Sequence, residues 1–375
     1  MRRVAFLIDT ISCDTAGTQK QLLETIRRLK PHVFDPYIIC LWESEWMRNN
    51  KTPCPCFVLD YHGFLKFDFA EVIQRLRKFI SEQRIEIINT FFEDSIFVAF
   101  IGAYLCHPKP VLISSRRDMG LGNENRPWYH SLYTLALPFV NRGYDGIIAN
   151  SEQIRHYVAE REKTPIEKIT VIRNGVEVPG NTALIPALFL ENDADCWIGI
   201  VASLTPVKRH DIFLYALWKI KEQLPHKKIR AVILGEGRNC DSLVALAEEL
   251  QVDTIAHFIG AVNDVFPYLY NLDIGVLCSD REGLSNAILE YMACGLPVVA
   301  TAVGGNIELV DTANGVCVPP DDPDSLATAL MSLICSKPLR ERLGAASLQK
   351  IKQTYSWEKT MDEFESYCNT FLHLT

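Results

Sequence analysis

Short apolar runs recur along this chain, and amphipathic stretches of helical length separate them. That alternation limits the fold more than any other feature. Repeated βα units build parallel strands, and their crossovers lay helices on both faces of the sheet. The first series of runs is Val4–Ile8, Tyr37–Leu41, Ile85–Ile88, Val111–Ser114, Gly146–Ala149 and Ile169–Ile172. The second is Ile198–Val201, Ala231–Leu234, Ile274–Leu277, Val298–Thr301 and Val316–Val318. Helical spacing fills the gaps, as in 18–29 and in Phe69, Val72, Ile73, Leu76, Phe79 and Ile80. Between the series, 179–196 carries Pro179, Gly180, Pro186 and an acidic patch without clear period, and reads as a linker. The expected fold is α/β, with two doubly wound Rossmann-like domains over 1–178 and 197–357. The last helix, 358–375, is expected to pack back on the first domain. Ligands of such sheets bind beyond the carboxyl ends of the strands, so an interdomain cleft is the expected site.

Composition narrows the function. Of 375 residues 48% are hydrophobic, enough for full cores, and the net charge of -8 argues against a nucleic-acid partner. Asp9 stops the first apolar run well short of an export signal or a membrane span. The twelve cysteines are scattered, and Cys54-Pro55-Cys56 has neither zinc spacing nor a second pair to answer it. Reduced thiols in a cytoplasmic protein are expected.

The most informative stretch is 280–298, where a strand runs through a short loop into a helix. Ser285 or Asn286 can cap that helix, and Gly295 and Pro297 end it. The N–H groups from Gly283 to Asn286 lack helical partners and form an anion site. Glu282 and Glu290 flank that site, and two carboxylates around an anion site suit a ligand carrying both phosphates and hydroxyls. That describes a nucleotide sugar.

The stretch resembles the Glu-x7-Glu signature of glycosyltransferase family 4. Residues 149–153, 168–176 and 201–208, with Gly304-Gly305, 308–310, Asn314-Gly315 and Ser356-Trp357, resemble other segments of that family in the same order. The resemblance implies the GT-B fold, transfer with retention and no metal. It implies that Glu282 contacts the transferred sugar and Glu290 the ribose. The amides of Gly283, Leu284 and Ser285 would face the phosphate and sugar. The loops around Gly17-Thr18 and Gly235-Glu236-Gly237 resemble family loops near the nucleotide.

Negative charge grows on the leaving diphosphate and must be met. Asp193-Ala194-Asp195 and Asp322-Pro323-Asp324 look like metal motifs but fall in a linker and a turn, so no metal or other cofactor is expected. Lys208, after the strand Ile198–Val201, is the expected phosphate charge, with Arg209 assisting. Ser203 stands where the family often has an arginine. On the acceptor side Arg116 stands where many relatives have a histidine. Arg116 or Arg117 is expected to stabilise the leaving phosphate and Asp118 to orient them, with Asp94 a further candidate.

The expected donor is a UDP-sugar, and the expected acceptor a glycan or lipid-linked molecule of bacterial surface polysaccharide or glycolipid. Trp128, Tyr129, Leu132, Tyr133, Leu135, Leu137 and Phe139 make an apolar segment, read first as core and second as a peripheral contact with the inner membrane face. Two other readings keep the fold: a nucleotide-sugar epimerase, for which no acid–base set stands out, and a non-catalytic nucleotide-sugar binder.

Overall fold

A computed structural model describes residues 1–118, 130–180, 185–190 and 194–372. The chain forms two compact units. One holds Met1–Asn174 with the C-terminal segment from Glu358, and the other holds Gly175–Trp357.

In the first unit seven parallel strands lie in the order β3-β2-β1-β4-β5-β6-β7. They are β1 (Arg2–Ile8), β2 (Phe34–Cys40), β3 (Cys56–Val58), β4 (Ile87–Phe91), β5 (Val111–Arg116), β6 (Gly146–Ala149) and β7 (Ile169–Val171). Val4 to Ile8 of the central β1 are fully buried, as expected of a strand covered on both faces. The helix Trp357–Leu372 completes this unit. Its Phe364 ring stacks on Phe6 at 6.1 Å, Glu365 pairs with Lys30 at 2.7 Å, and Thr360 Oγ1 donates to the Arg173 carbonyl at 3.2 Å.

The second unit has six parallel strands in the order β10-β9-β8-β11-β12-β13. They are β8 (Cys196–Val201), β9 (Ile229–Leu234), β10 (Ala256–Gly260), β11 (Ile274–Leu277), β12 (Val298–Thr301) and β13 (Gly315–Val318). Strand order reverses between β8 and β11, so their carboxyl ends splay and open a crevice. Tyr291, on the helix Asn286–Ala293, fastens that crevice. Its hydroxyl accepts from Val201 N at 2.5 Å and donates to the Val276 carbonyl at 3.1 Å.

Two strands, β3 and β10, lack a counterpart among the expected runs, and both lie at sheet edges. An edge strand needs neither a long apolar run nor two buried faces. The expected linker also differs from what forms. The chain leaves the first unit at Asn174. Within 179–196, Phe189 is buried and meets Trp197 edge-on at 4.6 Å, so that part of the segment belongs to the second core.

Trp128, Tyr129, Asp193 and the side chain of Leu132 lie outside the described residues. The rest of the apolar segment divides. Tyr133 and Leu137 are buried, whereas Leu135 and Phe139 are exposed on the other face of the helix His130–Gly143. Among the described residues no helix is long and apolar enough to cross a membrane.

Candidate functional site

In the second unit the site grows from the carboxyl end of β11. Cys278 and Ser279 continue the buried strand, and the chain then turns through 280–285 into the helix Asn286–Ala293. Ser285 caps that helix, its Oγ accepting from Ile288 N at 3.3 Å. The start of this helix thus lies just past the carboxyl end of β11. Behind the turn, Thr301 Oγ1 donates to the Ser279 carbonyl at 2.6 Å and Gly305 N donates to the Gly283 carbonyl at 2.7 Å. A Cβ on Gly305 would stand 2.2 Å from that carbonyl oxygen, so only glycine permits this support.

Lys208 ends the short helical turn Pro206–Lys208 that follows β8. Asp280 N donates to the Val207 carbonyl at 2.9 Å, which joins this turn to the loop after β11. Lys208 Nζ reaches Glu282 Oε1 at 2.6 Å, and Ser279 Oγ donates to the same oxygen at 2.5 Å. The two side chains are 24% and 10% exposed, so the pair is partly withdrawn from water yet open on one side. Lys208, Glu282, Gly283, Leu284, Ser285 and Asn286 thus occupy one strand-end cluster. Glu290 follows on the same helix, 7% exposed between buried Leu289 and Tyr291.

Gly235 and Gly237 shape the neighbouring wall. A Cβ on either would fall 2.0 Å from the Ala202 oxygen or 2.3 Å from the Leu204 oxygen, and Gly235 has a φ of +143°. Their backbone lies against 202–204, where Leu204 N donates to the Glu236 carbonyl at 2.8 Å. Ser203 is exposed, with its hydroxyl 3.4 Å from that of Thr205.

Arg209 departs from its expected role. Its guanidinium is held by Asp211 at 3.0 Å, Asp280 at 3.1 Å and Asp321 at 2.7 Å, and its backbone is left-handed with φ 48°. A cation surrounded by three carboxylates ties loops together and brings little charge to an incoming phosphate. The next residue, His210, carried no sequence signal. It is 1% exposed, neither ring nitrogen has a hydrogen-bond partner, and burial followed by the Lys208 charge holds its pKa down to about 4. The imidazole behind Lys208 is therefore neutral.

The first unit presents its own strand ends. The helix Gly17–Arg28 begins just past the 10–16 loop, with Gly17 and Thr18 in its first turn. Gln19 pins that loop, its Oε1 accepting from Ser12 N at 3.0 Å and Cys13 N at 3.1 Å. Asp9, at the end of β1, accepts from Ser95 Oγ at 2.7 Å. Burial pushes its carboxyl up to about 7, the Ser95 hydrogen bond opposing and the Asp94 charge adding. In the sequence Asp9 stands directly after the first strand and marks its end, and only the fold shows that its carboxyl is withdrawn from water. Asp94 sits in the first turn of the helix Glu93–Tyr104.

Arg116 corrects the acceptor-side expectation. It is 7% exposed and faces the protein interior, donating to Glu162 at 3.0 Å, Asn141 at 2.9 Å and Ser114 at 2.6 Å. Asn141 Nδ2 also donates to Glu162 at 2.8 Å. Through one terminal nitrogen the guanidinium holds β5 to the helix His130–Gly143 and the turn at Glu162, and through the other it meets Ser114, so it does not face a leaving phosphate. Alternation along a strand explains this: successive side chains point to opposite faces. Arg117, just past the end of β5, donates to Asn174 Oδ1 at 2.6 Å and lies 5.4 Å from the centre of the Phe91 ring. Burial lowers its pKa to about 10. Asp118 is exposed beside it.

The two metal-like motifs have local roles. Asp195 Oδ2 accepts from Lys228 N at 2.9 Å at the start of β8. Asp322 caps the helix Pro323–Ile334 through Ser325 N at 2.9 Å, and Asp324 pairs with Lys219.

Known proteins resemble this chain in sequence and in fold. Residues 15–178 match the family described as Glycosyltransferase Family 4, and residues 195–336 match Glycosyl transferases group 1. An uncharacterized glycosyltransferase of Methanocaldococcus jannaschii is 30% identical over 228 residues, covering 58% of this chain and 58% of that protein. The lipopolysaccharide core biosynthesis glycosyltransferase LpsE of Rhizobium meliloti is 33% identical over 133 residues, 35% of this chain and 39% of that protein. The chain thus spans little more than half the length of these relatives, or less. Among solved structures, Anabaena HepE in complex with UDP superposes with a TM-score of 0.83 at 18% identity, covering 99% of this chain and 100% of that one. With its two doubly wound sheets and both family segments, the chain belongs to glycosyltransferase family 4 and has the GT-B fold.

Proposed function

We propose that this chain is a retaining hexosyltransferase that moves a sugar from a UDP-sugar to a glycan or lipid-linked acceptor without a metal ion. Its place would be the cytoplasmic building of surface polysaccharide or glycolipid. The observation that carries this reading is the Lys208–Glu282 pair, 2.6 Å apart beside the start of the helix Asn286–Ala293. The solved UDP complex of HepE and the likeness to LpsE support the choice of donor and product class.

In the ligand-free state the two charges satisfy each other. A diphosphate takes Lys208 and the helix N–H groups, and Glu282 is released to accept from sugar hydroxyls. Glu290 accepts from the ribose. Transfer breaks the bond from the anomeric carbon to the phosphate oxygen and forms a bond to the acceptor oxygen on the same face. The acceptor's proton passes to the leaving phosphate oxygen, so no side chain serves as nucleophile. Lys208 meets the charge that grows on the diphosphate.

A thermal-shift panel of UDP-, GDP- and ADP-sugars, run with and without EDTA, tests this. The matching UDP-sugar is expected to raise the unfolding midpoint with the logarithm of its concentration, equally in both buffers. No shift with any donor, or a shift abolished by EDTA, contradicts the proposal.

A further inference from the structure

At the amino ends of β4 and β5, the opposite end of the sheet from Asp9 and Arg117, the first unit holds a cavity of about 910 Å³. Its inner wall is apolar and buried at Ile80, Ile85 and Cys106. Its rim carries Arg77, Lys78, Arg84 and Lys109, all exposed, together with His107. The lining acid, Glu86, is already engaged by Arg2 at 2.8 Å and by the Arg3 amide at 3.2 Å. Glu82 lies 3.8 Å from Lys78, a solvent-exposed contact that water weakens. In a chain of net charge -8 this is a local concentration of positive charge around one apolar hollow.

The hollow opens beside an apolar face. Leu105 lines the cavity and is 45% exposed, and its neighbour Tyr104 is 69% exposed. Phe100 lies between Tyr104, 6.3 Å away, and Phe139, 6.1 Å away. Phe139 is 67% exposed and Leu135, one turn earlier, 78%. Lys109 Nζ donates to the Gly143 carbonyl at 3.2 Å, joining the cavity rim to the end of that helix. Lys168 Nζ donates to the Arg142 carbonyl at 3.0 Å and adds charge there. Apolar side chains standing in water and bordered by lysines and arginines fit the interface of an anionic bilayer. A free phosphate would use the rim charges but leave the apolar face without a role.

We infer that the cavity seats the phosphate headgroup of an anionic membrane phospholipid while Tyr104, Leu105, Leu135 and Phe139 enter the acyl boundary. This goes beyond the proposed transfer reaction by naming a surface, away from the strand ends, that meets the membrane, and its test involves no sugar transfer. The full-length chain is sedimented with vesicles of phosphatidylcholine alone and with vesicles carrying phosphatidylglycerol. Selective binding to the anionic vesicles is expected. Lys78→Glu with Lys109→Glu is expected to weaken it at least about twentyfold, and Leu135→Ser with Phe139→Ser to weaken it comparably. These positions are exposed, so each variant should keep the parent's unfolding midpoint and its response to UDP. Equal binding to both vesicle types, no binding at low salt, or parent-like binding by either variant overturns the inference. So does stabilisation by millimolar inorganic phosphate without vesicle binding, which would assign the cavity to a free anion.

Discussion

Glu282 and Lys208 neutralise each other at 2.6 Å, so a donor phosphate must compete with a carboxylate for the lysine. Removing the competitor separates binding from chemistry. Glu282→Gln is expected to bind UDP about three- to tenfold more tightly, because Lys208 is left free, while transfer falls on the order of a hundredfold. Lys208→Ala should weaken UDP about tenfold or more. Calorimetric titration with UDP checks both, and weaker UDP binding by the glutamine variant would refute the competition. Asp9 supports a pH prediction. In the fold its carboxyl keeps a proton up to about pH 7, whereas the unfolded chain has lost it by about pH 4. The folded state therefore binds more protons across that window, and stability falls as pH rises through it. Asp9→Asn should be about 1–3 kcal/mol more stable than the parent at pH 8 and no more stable at pH 4. Unfolding curves at both values decide, and parallel pH slopes count against it. Residue types were legible in sequence where spacing fixed their element, as for Glu282, Ser285 and Lys208. What each charge faces was not legible. Arg116 and Arg117 are adjacent, and only the folded sheet shows that one reaches Glu162 and the other Asn174.

At the scale of elements, the site depends on one helix start held from behind. Gly305 approaches the Gly283 carbonyl so closely that a methyl group would lie 2.2 Å from it. Gly305→Ala must push the 280–285 turn toward the crevice, with an expected loss of about 1–3 kcal/mol and of UDP binding together. Gly180→Ala, where nothing stands within 4 Å of the new methyl, is the control and should change stability by less than about 0.5 kcal/mol. Equal behaviour of the two would show that the close approach carries no function. Ser285→Ala removes the cap from Ile288 and is expected to cost about 1 kcal/mol. The strands that read clearly were those with two buried faces, since burial on both sides leaves an apolar run. Edge strands β3 and β10 lack that pressure. The 202–204 backbone beneath Gly235 and Gly237 was equally hidden, because a glycine's missing Cβ does not say which carbonyl it makes room for.

For the whole molecule, the chain order conceals who stabilises whom. The chain passes between units at Asn174 and returns at Glu358, so the first unit is finished by its last helix. Amphipathic spacing shows that such a helix buries a face; it does not say against what. In the fold Met361, Phe364 and Cys368 are buried, Phe364 on Phe6 and Glu365 on Lys30. Burial of large apolar side chains contributes about 1.5–3 kcal/mol each, against a typical domain stability of about 5–15 kcal/mol. A chain ending at Trp357 should therefore lose most of the stability of its first unit while the second keeps its own core. Hydrogen exchange reads this directly. Amides of β1 and of the helix Gly17–Arg28 should lose protection in the truncated chain, and those of β8, β11 and β12 should keep it. Because Lys208 and the 280–286 turn belong to the second unit, the truncated chain should still bind UDP, though it could transfer nothing. Loss of protection throughout both sheets would mean instead that the two cores fold as one cooperative body, and undiminished protection in β1 that the last helix is dispensable.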